Sequence, residues 1–169
     1  MNFSENVPKN QVFEEIRTWL SGLGLTIVDY DDKRPWGGYF VIDESQSAAF
    51  IETFFPHLKP DDFKNFRKLS PKILLVAPRK RLSWQYHLRR SEIWKVAGGS
   101  VSVAVSATDD ENSAQLYKKG DIVELEKGER HRLIGVDQWG IIAEIWKHTD
   151  PDNPSDENDI IRVQDDFGR

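Results

Sequence analysis

Apolar residues near the start of the chain recur at helical spacing. Val12, Phe13, Ile16, Trp19 and Leu20 lie three and four residues apart between Lys9 and Gly22, which places them on one face of an amphipathic helix. Gly22 and Gly24 offer its stop, since glycine accepts the positive φ of a helix end. The pattern predicts a helical appendage over residues 1–24 whose role is packing, followed by a main domain over 25–169. Leu25–Asp29 and Gly38–Ile42 read as strands, being crowded with β-branched and aromatic residues. Ser45–Phe55 and Asp61–Leu69 read as helices, with Ser47 and Asp61 as caps and Pro56, Pro60 and Pro71 as punctuation. Together they form a helical insertion over about 44–70.

From Pro71 onward the texture changes to short runs rich in Val, Ile and aromatics: KILLVA, RLSWQYH, EIWKVAGG, SVSVAVSA, QLYKK, DIVELE, RHRLIGV and GIIAEIWK. Turn formers separate them at roughly 8 to 12 residues, the rhythm of a double-sheet β barrel or sandwich rather than of βαβ units. In SVSVAVSA, Val101, Val103 and Val105 alternate with Ser or Ala, so one face enters a core. The tract DPDNPSDEND has no apolar residue and reads as an exposed connector to a last strand, DIIRVQ.

Composition narrows the function classes. The 169 residues suit a single main domain, and 38% hydrophobic residues with six Trp and nine Phe supply a globular core. A net charge of −5 disfavours coating a nucleic acid, which needs a basic excess. The lack of cysteine excludes disulfides, thiolate metal sites and cysteine nucleophiles. No run of about 18 apolar residues occurs, and the opening MNFSENVPKNQ has no basic start followed by an apolar core. The expectation is a cytoplasmic protein with neither a nucleic-acid nor a membrane partner.

Four histidines occur: His57, His87, His131 and His148. His57, in the insertion, and His148, ending an apolar strand, read as surface or structural residues. His87 lies in WQYHLRRSEIW, where a strand of period two puts Gln85, His87 and Arg89 on one face. Glu92 joins them across the following bend. The turn Glu126 to His131 ends with an imidazole that a barrel brings back opposite His87. Arg90, Arg130 and Lys127 are candidates for holding a phosphate, and for the two arginines solvated loop charges are an equal reading; Lys127 reads first as surface. Trp36 serves as a sugar-stacking surface or as core.

These residues carry a resemblance to the cupin superfamily, and within it to the cupin domain of type II mannose-6-phosphate isomerases. Arg34-Pro35-Trp36-Gly37-Gly38-Tyr39 resembles that family's opening RPWGxY. Arg81 to His87 followed by Arg90 to Trp94 resembles its RLSxQxHxHRxExW core. Gly120-Asp121 with Gly128 to Leu133 is similar to the second cupin motif, and Asp159 to Arg162 with Asp165 to Arg169 to the closing DIxR…EDxYGR. The likeness covers roughly 34–44 and 72–169. It implies an all-β cupin jelly roll, a double-stranded β-helix, with the first helix and the insertion packed outside. No Gly-rich nucleotide loop accompanies it, so nucleotide-sugar synthesis is not expected of this chain.

Carried over residue by residue, the family's metal ligands are His87, Glu92 and His131. Arg89 stands where the second histidine of His-x-His belongs, and a guanidinium has no lone pair for a metal. Two readings stay open. Either Gln85 completes a single divalent site for Zn, Mn or Fe, as in the Gln-x-His pair of type I mannose-6-phosphate isomerases, or Arg89 pairs with Glu92 in a metal-free pocket. The metal-free reading is preferred. The implied activity is a sugar-phosphate aldose–ketose isomerase working through an enediol, with His131 or Glu92 as base, Arg89 or a metal stabilising the oxyanion, and Arg90 holding the phosphate. The alternative is a noncatalytic cupin that binds a sugar, sugar phosphate or nucleotide sugar over a degenerate metal site; a metal-dependent oxygenase or epimerase stands third. A homodimer is expected, with the first helix covering a sheet edge across the subunit boundary.

Overall fold

The computed structural model describes residues 1–168, so Arg169 of the closing motif lies outside the described residues. Among the described residues two α-helices, α1 (Lys9–Gly22) and α2 (Ser47–Phe54), accompany eleven strands. In chain order these are β1 (Ile27–Asp31), β2 (Gly37–Ile42), β3 (Lys72–Val76), β4 (Trp84–Tyr86), β5 (Arg90–Gly98) and β6 (Ser100–Ser106). They continue with β7 (Gln115–Lys118), β8 (Ile122–Leu125), β9 (Arg130–Gly135), β10 (Gly140–His148) and β11 (Ile161–Gln164). One sheet runs β1-β2-β3-β10-β5-β8, the other β11-β4-β9-β6-β7, and every pairing is antiparallel. This is the all-β, two-sheet jelly roll that the sequence implies.

The two sheets enclose one apolar cluster. Leu74 and Val76, Trp94 and Val96, Val123 and Leu125, and Ile142 meet Val101, Val103 and Leu133 from the facing sheet. The alternation read from SVSVAVSA is thus the inner face of β6. The opposite face of the six-stranded sheet builds a second core from Phe40, Ile73, Leu75, Ile93, Ile141 and Ile145. Val12, Phe13, Ile16 and Leu20 of α1 close it, together with Phe50, Phe54 and Phe55 of the insertion. A sheet covered on both faces needs continuous apolar strands rather than alternating ones, which is why every residue of β3 is buried. The apolar face of α1 is used within the chain. Residues 1–24 therefore share the core of the main domain.

The insertion departs from its expected form. Asp43, not Ser47, caps its start by accepting from Ser45 N. Asp61–Leu69 forms no helix beyond a four-residue 3-10 turn over Pro60–Phe63, where the Asp62 carboxylate accepts from Lys59 N at 2.7 Å. Phe63, Phe66 and Leu69 fasten this stretch to the outer core, so burial rather than helical hydrogen bonding orders it. In the RPWGG motif, Gly37 opens β2 at φ 143°, and a Cβ there would collide with the Leu75 carbonyl oxygen. Only glycine allows that approach, which brings Trp36 and Tyr39 against the barrel.

Candidate active site

Register lays out the inner face of the six-stranded sheet. On β10 and β5, Glu144 stands opposite Trp94, Trp146 opposite Glu92, and His148 opposite Arg90, while Lys72 of β3 flanks Glu144 on the other side. Four ionisable side chains, Lys72, Arg90, Glu92 and Glu144, therefore enter the barrel from this sheet. Lys72, Arg90, Glu92 and Glu144 are each no more than 7% exposed.

His87 reaches this cluster because β4 ends at Tyr86 and the backbone turns. The Asp159 carboxylate, seventy residues away, accepts from Leu88 N at 3.1 Å and Arg89 N at 3.0 Å. The His87 Nδ1–H donates to the Asp159 carbonyl oxygen at 2.9 Å, and the His131 Nδ1–H to that of Glu129 at 2.9 Å. This assignment of tautomers leaves a lone pair on each Nε2. The two Nε2 atoms lie 3.2 Å apart, with Glu92 oxygens 3.2 Å from the first and 3.6 Å from the second. Burial lowers the pKa of both rings, that of His87 to about 4, so both are neutral at neutral pH.

The carboxyls diverge. Burial opposes the charge on Glu92, but His87, Arg90 and His131 outweigh it and hold the pKa below the ordinary value. Glu144 is pushed up to about 8 by burial and then by the charge of Glu92, against Lys72 and Arg90. The Trp94 indole N–H bridges the two, 3.0 Å from Glu92 Oε2 and 2.9 Å from Glu144 Oε1. An ionised and a proton-bearing carboxyl thus share one donor, a division of labour suited to acid–base chemistry.

The guanidinium in the site is that of Arg90. Its Nε donates to Glu92 Oε1 at 2.6 Å and one terminal nitrogen lies 3.1 Å from His87 Nε2. The other reaches Ser155 Oγ at 2.8 Å, and the group stacks 3.6 Å from the Trp146 ring centroid. Arg89, expected in the hollow as oxyanion stabiliser, points away to Asn153 and Asp156. The turn at 87–89 breaks the period of two, so the face reverses between the arginines. Arg89→His is accordingly expected to leave divalent-metal affinity unchanged in equilibrium dialysis; a gain would put residue 89 back inside.

The remaining candidates divide by face. Trp36 and Gln85 line the central hollow, a space of about 60 Å³; the Gln85 Oε1 is taken by the Ser83 hydroxyl at 2.6 Å. Arg130 precedes an inward His131 on β9 and so faces outward, bonded to Asp109 at 2.7 Å and stacked 3.9 Å from Tyr86. Lys127 is exposed in the preceding turn. Neither lines the hollow, and the phosphate-holding role expected of them has no support in their placement. His148 accepts from Ser155 N at its Nδ1, so its Nε2–H faces Ser70 Oγ at 3.0 Å. In that tautomer it cannot act as base toward Ser70. Lys72 and Glu144 were not singled out from the sequence; a lone carboxylate inside GIIAEIWK was the available signal for Glu144.

His87, Glu92 and His131 present donor atoms all within 4.8 Å of one another. The His131 Nε2 faces a second lone pair and a carboxylate, a repulsion that a cation between them would relieve. Two imidazoles fixed through Nδ1–H to backbone carbonyls, with a carboxylate beside them, fit a divalent metal. Arg90 competes for two of the same three donors.

No family model and no curated protein sequence matches the chain. Solved structures do. Vicilin from Solanum lycopersicum (tomato) matches with a TM-score of 0.52 and 16% identity, over 75% of this chain and 32% of its own. KdgF from Halomonas sp. matches with a TM-score of 0.52 and 12% identity, over 77% of this chain and 89% of its own. The capsular polysaccharide assembling protein CapF from Staphylococcus aureus matches with 0.52 and 12%, over 83% and 34%. The chain spans about a third of the vicilin and CapF chains. At these identities the likeness shows the fold, the cupin jelly roll. The similarity to mannose-6-phosphate isomerases is carried by the sequence motifs alone. No helix among the described residues is long and apolar enough to cross a membrane.

Proposed function

We propose that the chain is a sugar-related cupin that interconverts an aldose phosphate and its ketose in the manner of mannose-6-phosphate isomerases. The observation that supports this reading is the convergence of His87, Glu92 and His131, from distant parts of the chain, beside Arg90 and Glu144 within one barrel. Isomerisation removes a proton from C2, returns one to C1 and places charge on the carbonyl oxygen between the two steps. Glu92 or His131 takes and returns the proton. Glu144, carrying its own proton, donates a hydrogen bond to the enediolate oxygen, and Arg90 replaces Arg89 as the fixed positive charge. A divalent metal held by His87, Glu92 and His131 would add Lewis-acid polarisation of the carbonyl.

One observation favours a second reading, a noncatalytic cupin that binds a sugar or sugar phosphate. The Arg90 guanidinium already engages Glu92 and His87, which closes the donors to both metal and substrate. Purified protein assayed for metal content, and for conversion of mannose 6-phosphate to fructose 6-phosphate with and without Zn, Mn and Co, separates the two. Turnover in any condition supports the isomerase. Sugar-phosphate binding without turnover in every condition replaces it with the binding protein.

A further inference from the structure

Two features of the hollow play no part in the chemistry above. The first is Lys72, 7% exposed. The only hydrogen bond its ammonium makes among the described residues is to Glu157 Oε1, at 2.7 Å, and the ammonium lies 3.8 Å from the Trp146 ring centroid and 5.2 Å from that of Tyr39. A buried lysine clasped by aromatic rings is thus neutralised by a carboxylate whose side chain is 51% exposed. The second is a pair of indole N–H donors. Trp36 and Trp146 both line the hollow, each about 5% exposed, and the Nε1 of each is buried with no acceptor among the described residues. A buried donor without a partner is costly.

We propose that Lys72, with the indoles of Trp146 and Trp36, forms the subsite for the acidic group and hydroxyls of an acidic sugar, and that the Glu157 carboxylate competes for this subsite as an internal mimic of the acid. The ammonium supplies charge and the indoles supply donors, so the matching ligand is an anion rich in oxygen. A sugar phosphate and a sugar carboxylate share that chemistry.

Placement gives the route of entry. The hollow of about 60 Å³ adjoins a groove of about 350 Å³, and Tyr39, Lys72, Trp146 and Glu157 border both. The Lys72–Glu157 pair is therefore the partition. Glu157 opens the 3-10 turn Glu157–Asp159, whose far end is fixed by Asp159 on the Leu88 and Arg89 amides. The proposed opening is rotation of the Glu157 side chain, with the backbone in place. The inference rests on reading the hollow as a sugar site but not on turnover.

The test is calorimetry on the full chain with mannose 6-phosphate, glucuronate and neutral mannose. Wild type is expected to bind one acidic sugar and to show no measurable binding of mannose; whichever acid binds identifies the phosphate or the carboxylate. Glu157→Gln removes the competing charge and is expected to tighten that binding about tenfold, and Lys72→Met to weaken it at least tenfold, the scale of one charged hydrogen bond. Glu157 is half exposed, so its variant remains informative even if Lys72→Met folds poorly. Binding unaltered in Glu157→Gln, binding unaltered in folded Lys72→Met, or no acidic-sugar binding at all overturns the proposal. Lys72-dependent binding without isomerisation removes the isomerase and leaves the subsite. Undiminished isomerisation by Lys72→Met does the reverse.

Discussion

Arg90→Met is expected to lower the stability of the protein by about 3–5 kcal/mol, because it leaves the Glu92 carboxylate buried without its partner. Arg90 and Glu92 are each 2% exposed, and the guanidinium also holds Ser155 Oγ and the Asp156 carbonyl oxygen. In a chain of this size the loss corresponds to a fall in Tm of roughly 6 to 20 °C. Arg90→Met/Glu92→Leu, which removes both charges, is expected to recover most of it, and the double-mutant cycle isolates the pair. Arg90→Met also frees Glu92 Oε1 and His87 Nε2, so added Zn should raise its Tm by several degrees more than it raises that of wild type. The checking measurement is thermal denaturation with and without Zn. A variant as stable as wild type, or one that gains no more from Zn, rules out Arg90 as the group that guards the donors.

The misassignment between Arg89 and Arg90 shows where sequence reading met its limit. Period-two logic works while a strand lasts, and it placed Val101, Val103 and Val105 on the inner face of β6. It fails at His87 because Asp159 turns the backbone there, and a contact across that separation leaves no local trace. Arg130 could have been excluded earlier, since an inward His131 on the same strand forces its neighbour outward. The pairing of His87 with His131 was legible through the spaced motifs and not through composition. Lys72 and Glu144 were masked by their surroundings: in KILLVA and GIIAEIWK the apolar residues of both sheet faces run together, and one charge in each run reads as incidental. The predicted second helix of the insertion failed because packing of Phe63 and Phe66 against the outer core orders residues 61–69 with little regular structure.

Above about pH 7 the stability of the wild-type protein is expected to fall as pH rises, and Glu144→Gln is expected to abolish that fall. The folded protein holds the Glu144 carboxyl at about 8, while in the unfolded chain it titrates at about 4.3. Between those values the folded state keeps a proton that the unfolded state has lost, so stability decreases with rising pH and levels off above about 8. The buried histidines act in the opposite direction. His87 and His148 titrate at about 4 when folded, His131 is also lowered, and the unfolded rings titrate at about 6.5. The folded state thus binds fewer protons through that lower window, and stability rises across it. At about pH 6.5 the unfolded rings are still half protonated, and only from about pH 7 do the histidines release so little that Glu144 governs the slope. One group contributes at most about 1.4 kcal/mol per pH unit and less as it titrates, hence about 1 kcal/mol from Glu144 between pH 7 and 8. The charges that face Glu144 are Lys72 from β3, Arg90 and Glu92 from β5, and Glu157 from the C-terminal segment. Glutamine keeps an acceptor for the Trp94 indole and cannot ionise. Urea unfolding of both proteins at pH 7.0, 7.5 and 8.0 checks the slopes. Equal slopes in wild type and Glu144→Gln would mean that Glu144 is ionised inside the barrel and that its role as proton donor to the sugar oxygen must be given up.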